Sequence, residues 1–361
     1  MTPDFTPSSS TPITSSSTPS PQARRGQGEG SARIAVVGTT SWGTTLAVLF
    51  ARGGSNVALM ARSVTEAGAL NGARENTKHR PGLRLPDALV VTTDNEYLAT
   101  ADVIVLAVPS AALRANLTRL APAFSHDATI VSATKGIETD TCLRMSQVIE
   151  VFGVEPARVL ALSGPNFAGE IASGLPAATV VAGTDATRAQ QVQSLLSGPT
   201  FRVYTSDDII GVEVGGALKN LVAIACGMSD GLGYGENAKA ALITRGLAEI
   251  SRLGVAMGAK PLTFLGLAGI GDLVLTCEGN LSRNRRLGLA IAQESSLEEA
   301  LAASEGVVEG VVTARAIPQL VAKYGIQMPI CQSLHAVLFE DKPAVEAVRE
   351  LMARAARPEQ D

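Results

Sequence analysis

Residues 33–62 read RIAVVGTTSWGTTLAVLFARGGSNVALMAR, and this stretch constrains the fold more than any other. An apolar run (RIAVVG, 33–38) ends at a glycine. A helix-forming run (TTLAVLFARGG, 44–54) follows a second glycine, and another apolar run (NVALMAR, 56–62) comes next. Strands this short and apolar are buried on both faces, so they belong to a parallel sheet covered by helices, joined by right-handed crossovers. The pattern continues. LVVTTD (89–94), DVIVLAVP (102–109), ATIVSATKG (128–136), RVLALSGP (158–165), AATVVAG (177–183) and FRVYTSD (201–207) read as strands, with a helix at 109–122. Strand-type segments stop there. DDIIGVEVGGALKNLVAIACGM (207–228) is too apolar for a surface helix and should be buried; 236–258 reads as a second helix, and shorter ones follow to Ala356. The chain therefore divides into an α/β part, 32–208, and an all-helical part, 209–354, with a frayed C-terminus, 355–361.

Residues 1–31 are Ser, Thr and Pro with little to bury, the composition of a disordered tail. They lack the apolar core of a secretory signal. No later apolar run reads as a membrane span, because the long ones carry Gly, Lys, Asp or Arg. The net charge of −4 argues against nucleic-acid or membrane-surface partners. Cys142, Cys226, Cys277 and Cys331 have neither zinc nor redox-motif spacing, which suits buried thiols in a reducing cytoplasm. The three histidines, His79, His126 and His335, form no metal motif, and no metal is expected.

The turn between the first strand and helix, GTTSWG (38–43), resembles the glycine fingerprint of a dinucleotide site, but Thr40 stands where its middle glycine belongs. It is a cofactor site, a decayed one, or a loop that never bound a nucleotide. Gly38 would allow the tight turn and Gly43 close packing of helix on strand. The N–H groups of Ser41, Trp42 and Gly43 would meet a pyrophosphate. Thr40 would then either crowd the phosphate through Cβ or hydrogen-bond to it. At the end of the second strand, where NAD sites carry a carboxylate for the adenosine ribose, this chain has Arg62 and Ser63. That predicts a preference for NADPH/NADP, with NADH/NAD also usable; otherwise Arg62 is simply a solvated strand end.

Of seven lysines, two lie outside polar segments. Lys135 ends the strand TIVSATKG, and ligands bind outside the carboxyl ends of such strands. Lys219 lies within VGGALKNLVAIA, leaning over Gly215 and Gly216, which would clear room for a substrate. Partial burial would lower its pKa and suit it to general acid–base chemistry. The plainer alternative is a lysine paired with Glu213 or Asp272. Asp272, in GLAGIGDLVLTC (266–277), could cap a helix, bind a substrate hydroxyl or orient a lysine. Ser282, Arg283 and Asn284 open an apparent helix in GNLSRNRR (279–286), where a phosphate would offset the unfavourable cations; a solvated basic face accounts better for Arg285 and Arg286.

The segments GTTSWGTTLA, SATKGIE, LSGPNFAGEIASGLPAA, GVEVGGALKNLVAIACGMSDGLGYGENAKAALITRGLAEISRLG, GLAGIGDLVLTC, SRNRRLG and VVEGVVTA together resemble bacterial NAD(P)-dependent glycerol-3-phosphate dehydrogenase, from about Arg33 to Met352. The resemblance implies a Rossmann-like dinucleotide-binding domain followed by an all-α domain like the C-terminal domain of 6-phosphogluconate dehydrogenase. It implies interconversion of dihydroxyacetone phosphate and sn-glycerol 3-phosphate, supplying glycerophospholipid synthesis, in a cytoplasmic homodimer. Lys219 matches the proton acceptor. Lys135, Gly164, Asn166, Asp272, Ser282, Arg283 and Asn284 match substrate-binding positions, with Asn166 standing where other members often have Thr or Ser. Ser41, Trp42, Arg62, Lys135, Ala168, Arg283, Val307 and Glu309 match cofactor contacts. The competing readings are a β-hydroxyacid dehydrogenase of the same plan, a UDP-sugar dehydrogenase using Cys277, and a non-catalytic NADP-binding sensor.

Overall fold

The computed structural model describes residues 31–359 apart from 294, 305 and 357. The expected tail lies outside the described residues except for Ser31, as do residues 357, 360 and 361 of the expected frayed C-terminus. The strands are β1 (Arg33–Val37), β2 (Asn56–Met60), β3 (Glu75–Asn76), β4 (Arg80–Arg84), β5 (Val90–Thr92), β6 (Val103–Leu106), β7 (Thr129–Ser132), β8 (Val159–Ser163), β9 (Ala177–Ala182) and β10 (Phe201–Ser206). The α/β part carries α1 (Ser41–Arg52), α2 (Val64–Ala73), α3 (Glu96–Ala99), α4 (Ser110–Leu120), α5 (Met145–Glu150), α6 (Ala168–Ala172) and α7 (Ala186–Leu196). The helical part runs through α8 (Ile209–Gly231), α9 (Gly235–Ala256), α10 (Asp272–Glu278), α11 (Arg283–Ala292), α12 (Leu297–Ala302), α13 (Glu309–Arg315), α14 (Ile317–Tyr324), α15 (Pro329–Phe339) and α16 (Ala344–Met352).

Eight strands form one sheet in the order β10-β9-β8-β7-β6-β1-β2-β5. Successive strand side chains point to opposite faces. Ile34, Val36, Val57 and Leu59 join the core on one face, and Ala35, Val37, Ala58 and Met60 join the core on the other. Both faces are apolar because helices cover both, so the strands appear in sequence as unbroken apolar runs. The strand order reverses between β1 and β6, and that switch point opens a crevice at the carboxyl ends of the strands.

The sheet departs from the parallel expectation at one pairing. β8 and β9 are antiparallel, while β9 and β10 are parallel to each other. A parallel return needs a crossover spanning the sheet. The link after β8 holds only the short α6, so the chain turns back at the carboxyl end of the sheet. The hairpin of β3 and β4 was not expected either. Its strands are short and polar, and no apolar periodicity marks them.

α8 is the core of the helical part. Val214, Leu218, Leu221, Val222 and Ile224 are buried among side chains from several other helices. By length and mean hydropathy (1.6) α8 could cross a membrane, but 83% of its most apolar window is buried within the fold. Its first turn lies on the sheet, where Ile209 and Val212 meet Ala161, Val180 and Ala182. This contact seats the helical part at the end of the sheet where the crevice opens.

Candidate active site

The β1–α1 turn has the geometry of a dinucleotide turn. Gly38 has φ +112°, and a Cβ there would lie 2.6 Å from the Ala107 carbonyl oxygen at the end of β6. Gly43 packs so tightly on the Gly38 carbonyl that no side chain fits. Both glycines therefore serve chain geometry. Thr40 has a structural task of its own. Its hydroxyl is the N-cap of α1, accepting from the Gly43 N–H (3.0 Å) and donating to the Ala107 carbonyl (2.9 Å). The Gly43 amide is thus engaged within the protein, and the donors left at this helix end are Ser41 and Trp42. Thr40→Val is expected to lose the cap at about 1 kcal/mol, lowering Tm by about 2–4 °C. An unchanged melting curve would rule out the cap's contribution.

Asn76, on the unexpected hairpin, braces this turn. Its buried amide donates to the Thr39 carbonyl and to Thr44 Oγ1, both at 2.8 Å. Arg62 is exposed at the end of β2. The carboxylate missing from that position in the sequence is supplied by α2: Glu66 reaches back to the Arg62 backbone N–H (2.8 Å), the Arg62 guanidinium (3.4 Å) and the Thr39 hydroxyl (2.8 Å). Ala168 lies at the start of α6, where its carbonyl accepts from Thr45 of α1 at 3.5 Å. Trp42 Nε1 is buried without a partner among the described residues. A buried, unpaired indole donor beside two free helix-terminal amides fits a polar, anionic ligand in the turn.

The chemical centre forms where the two parts meet. Lys135, at the end of β7, donates to Asp272 Oδ2 (2.5 Å) and to the Gly164 carbonyl (3.0 Å). Lys219, in the middle of α8, donates to Asp272 Oδ1 and to Thr276 Oγ1 (2.7 Å). Asp272 is 0% exposed. It begins α10 directly after a π-type turn, Leu267–Gly271, and its side chain caps nothing. It is the lysine-orienting residue, whereas Glu213 is taken up by Arg144 and Ser146.

Two ammonium groups therefore share one carboxylate in a buried site, an excess of positive charge suited to an anionic ligand. Burial pushes the Lys219 pKa down from its ordinary value; Asp272 opposes this and Lys135 reinforces it, leaving it at about 8. Thr276 donates its hydroxyl proton to the Asp272 backbone carbonyl (2.6 Å), so its oxygen can only accept from Lys219. Two of the three ammonium donors are then engaged, which leaves one for a ligand oxygen.

Gly215 and Gly216 do not clear space for a substrate. Gly215 packs on the Ala268 carbonyl, and a Cβ on Gly216 would lie 2.5 Å from Ser163 Oγ. They let α8 approach the sheet and the π-type turn closely enough for Lys219 to reach Asp272. Asn166 donates to Thr179 (2.9 Å), and its Oδ1 is buried without a partner among the described residues. It is an acceptor suited to a ligand hydroxyl.

Ser282 caps α11, accepting from Arg285 N–H (3.2 Å). Arg283 and Asn284 form the first turn of that helix, whose backbone amides point out of the helix end. The Asn284 side chain faces inward. It donates to Asn220 Oδ1 (2.8 Å) and accepts from Gly310 N–H (3.0 Å), tying this helix end to the residue after Lys219. Arg285 belongs to an ion pair with Asp230. Glu309, at the start of α13, accepts from the Ser110 N–H (3.1 Å) and hydroxyl at the start of α4. It bridges the two parts, and burial raises its pKa against those hydrogen bonds. Val307 is exposed two residues earlier. All four cysteines are buried, and the hydrogen bond with Cys226, together with burial, raises the Cys277 pKa far above the thiol range, which disfavours the thiolate a nucleophile needs. The residues missed in the sequence (Glu66, Asn76, Thr276, Asn220) are polar residues at ordinary helix or hairpin positions. Among them only the Ser63-x-x-Glu66 pattern was a usable signal.

A parallel-sheet crevice with a glycine turn, next to a buried lysine that the helical part supplies, defines a dinucleotide-dependent oxidoreductase. The chain matches the NAD-dependent glycerol-3-phosphate dehydrogenase N-terminus over residues 33–189 and the C-terminus of the same family over 208–349. It belongs to the NAD-dependent glycerol-3-phosphate dehydrogenase family. It is 49% identical over 329 residues to the NAD(P)+-type glycerol-3-phosphate dehydrogenase of Corynebacterium glutamicum strain R, covering 90% of this chain and 99% of that one. The Geobacter metallireducens enzyme of the same name is 50% identical over 331 residues, covering 91% and 98%. The crystal structure of glycerol-3-phosphate dehydrogenase from Coxiella burnetii is 38% identical, with a TM-score of 0.85 and coverage of 90% and 99%.

Proposed function

We propose that this protein interconverts dihydroxyacetone phosphate and sn-glycerol 3-phosphate, using NADPH by preference and NADH as well, and so supplies glycerophospholipid synthesis. The observation that carries this reading is the convergence of Lys135 and Lys219, from the two parts of the chain, on Asp272. Residues 32–208 would hold the cofactor and 209–354 the substrate. The same family likeness is the support for a cytoplasmic homodimer, and the four buried thiols accord with a reducing compartment.

The pyrophosphate would lie on the Ser41 and Trp42 amides, with Gly38 and Gly43 shaping the turn. Arg62, Lys135, Ala168, Arg283, Val307 and Glu309 would flank the rest of the cofactor. A cofactor held there would supply hydride-transfer chemistry for C2 of the substrate. The substrate phosphate would meet the Ser282-capped helix start at Arg283 and Asn284. Asn166 Oδ1 would accept from a substrate hydroxyl, and Gly164 holds Lys135 in place through its carbonyl. As the ketone is reduced, Lys219 donates a proton to the developing alkoxide, and its charge stabilises that oxygen. In the oxidative direction neutral Lys219 accepts the hydroxyl proton. Asp272 keeps both lysines aimed at the same point.

The direct test follows NADPH oxidation in the presence of dihydroxyacetone phosphate, with NADH and a series of 3-hydroxyacids in parallel. Turnover should require the phosphorylated ketone. Faster turnover of a hydroxyacid, or cofactor binding without turnover, would refute the reading.

A further inference from the structure

We propose that Glu66 sets the balance between the two nicotinamide cofactors: its carboxylate binds the adenosine ribose hydroxyls of NADH and opposes the 2′-phosphate of NADPH that Arg62 attracts. The proposal rests on the reading of the β1–α1 turn as the cofactor site. In sequence, Ser63-Val64-Thr65-Glu66 looks like an ordinary capping box, whose glutamate should return to the N–H of the cap residue. Half of that device is present, since the Glu66 N–H donates to Ser63 Oγ (3.1 Å). The carboxylate does not return to Ser63. It extends to the Arg62 N–H at the end of β2 and to the hydroxyl of Thr39, the residue after Gly38.

A carboxylate between the phosphate-binding turn and the end of the second strand is where a dinucleotide fold grips the adenosine ribose. Here it comes from the following helix instead of the strand. Its setting is otherwise cationic. His79 has Lys78, Arg62, Glu66 and Arg283 as its charged neighbours. Burial opposes ionisation of Glu66, but the Arg62 N–H, the Thr39 hydroxyl and the Arg62 guanidinium outweigh it and hold the carboxyl below its usual range. Glu66 is therefore charged near neutral pH and is held by two fixed donors. Arg62 touches it only at 3.4 Å, on an exposed side chain that is free to turn toward a phosphate.

The test compares the wild-type enzyme with Glu66→Gln and Arg62→Gln. Dissociation constants for NADPH and NADH are read from quenching of Trp42, the sole tryptophan, which lies in the turn. Ratios of kcat/KM for the two cofactors are measured alongside. Glu66→Gln should tighten NADPH, weaken NADH and move the ratio toward NADPH by about tenfold. Arg62→Gln should move it the other way. If both cofactors quench Trp42 in all three proteins but Glu66→Gln leaves the ratio unchanged, or the two variants shift it in the same direction, the Glu66 proposal falls and the cofactor-site reading stands. If neither cofactor quenches Trp42 in the wild type, it is the cofactor-site reading that fails.

Discussion

Lys219→Ala should lower kcat by about a thousandfold or more, while NADPH still quenches Trp42. The expectation follows from the bonding around the ammonium. Asp272 and Thr276 engage two of its donors and leave the third for the substrate oxygen. The pH dependence adds a signature that a structural lysine would lack. With its pKa lowered to about 8, Lys219 carries its proton below that pH and loses it above. Ketone reduction, which needs the proton, should fall as pH rises through about 8. Alcohol oxidation, which needs the neutral amine, should rise over the same interval. Both limbs should disappear in the variant. Near-normal turnover, or limbs that persist without the lysine, would remove Lys219 from the chemistry.

Asp272→Asn should have the second largest effect, acting on both stability and rate. The carboxylate is fully buried between two ammonium groups, and removing its charge leaves them facing each other. Breaking a buried ion pair from one side costs about 3–5 kcal/mol, a drop in Tm of about 10 °C. The attraction that opposes desolvation of Lys219 is lost as well. Its pKa should fall further, so the descending limb of ketone reduction should move below about pH 8, with kcat/KM lower by about a hundredfold or more. A limb that keeps its midpoint would show that Asp272 does not govern the protonation of Lys219. Measuring the limb separates this role from a loss of fold, which would reduce activity at every pH alike.

The strands were legible because strands buried on both faces are written as unbroken apolar runs, as in RIAVVG and TIVSATKG. The antiparallel turn-back between β8 and β9 was not, because direction depends on the length of the connection and not on the strand's own composition. The β3–β4 hairpin left no mark for a related reason: Asn76 matters through what it touches, not through any pattern around it. Lys219 stood out as a lysine in a glycine-rich apolar helix. Yet its partner could have been Glu213 or Asp272 until the fold placed Glu213 against Arg144 and Ser146. The two glycines before it are conspicuous in the sequence, but what they admit is other protein atoms: the Ala268 carbonyl against Gly215 and the Ser163 side chain against Gly216.

By itself, then, the sequence determined the alternation of elements, the change from sheet to helix near residue 208, and the residue types that carry charge into an apolar setting. These depend on local periodicity and on the cost of burying polar groups, which every stretch of chain records. Tertiary structure alone decided which charges meet. Lys135 and Asp272 are separated by 137 positions, Lys219 and Asp272 by 53, and Thr39 and Glu66 by 27. Whether such groups share a bond depends on the distance and direction between folded elements, and that information is not carried by either residue's neighbours in the chain.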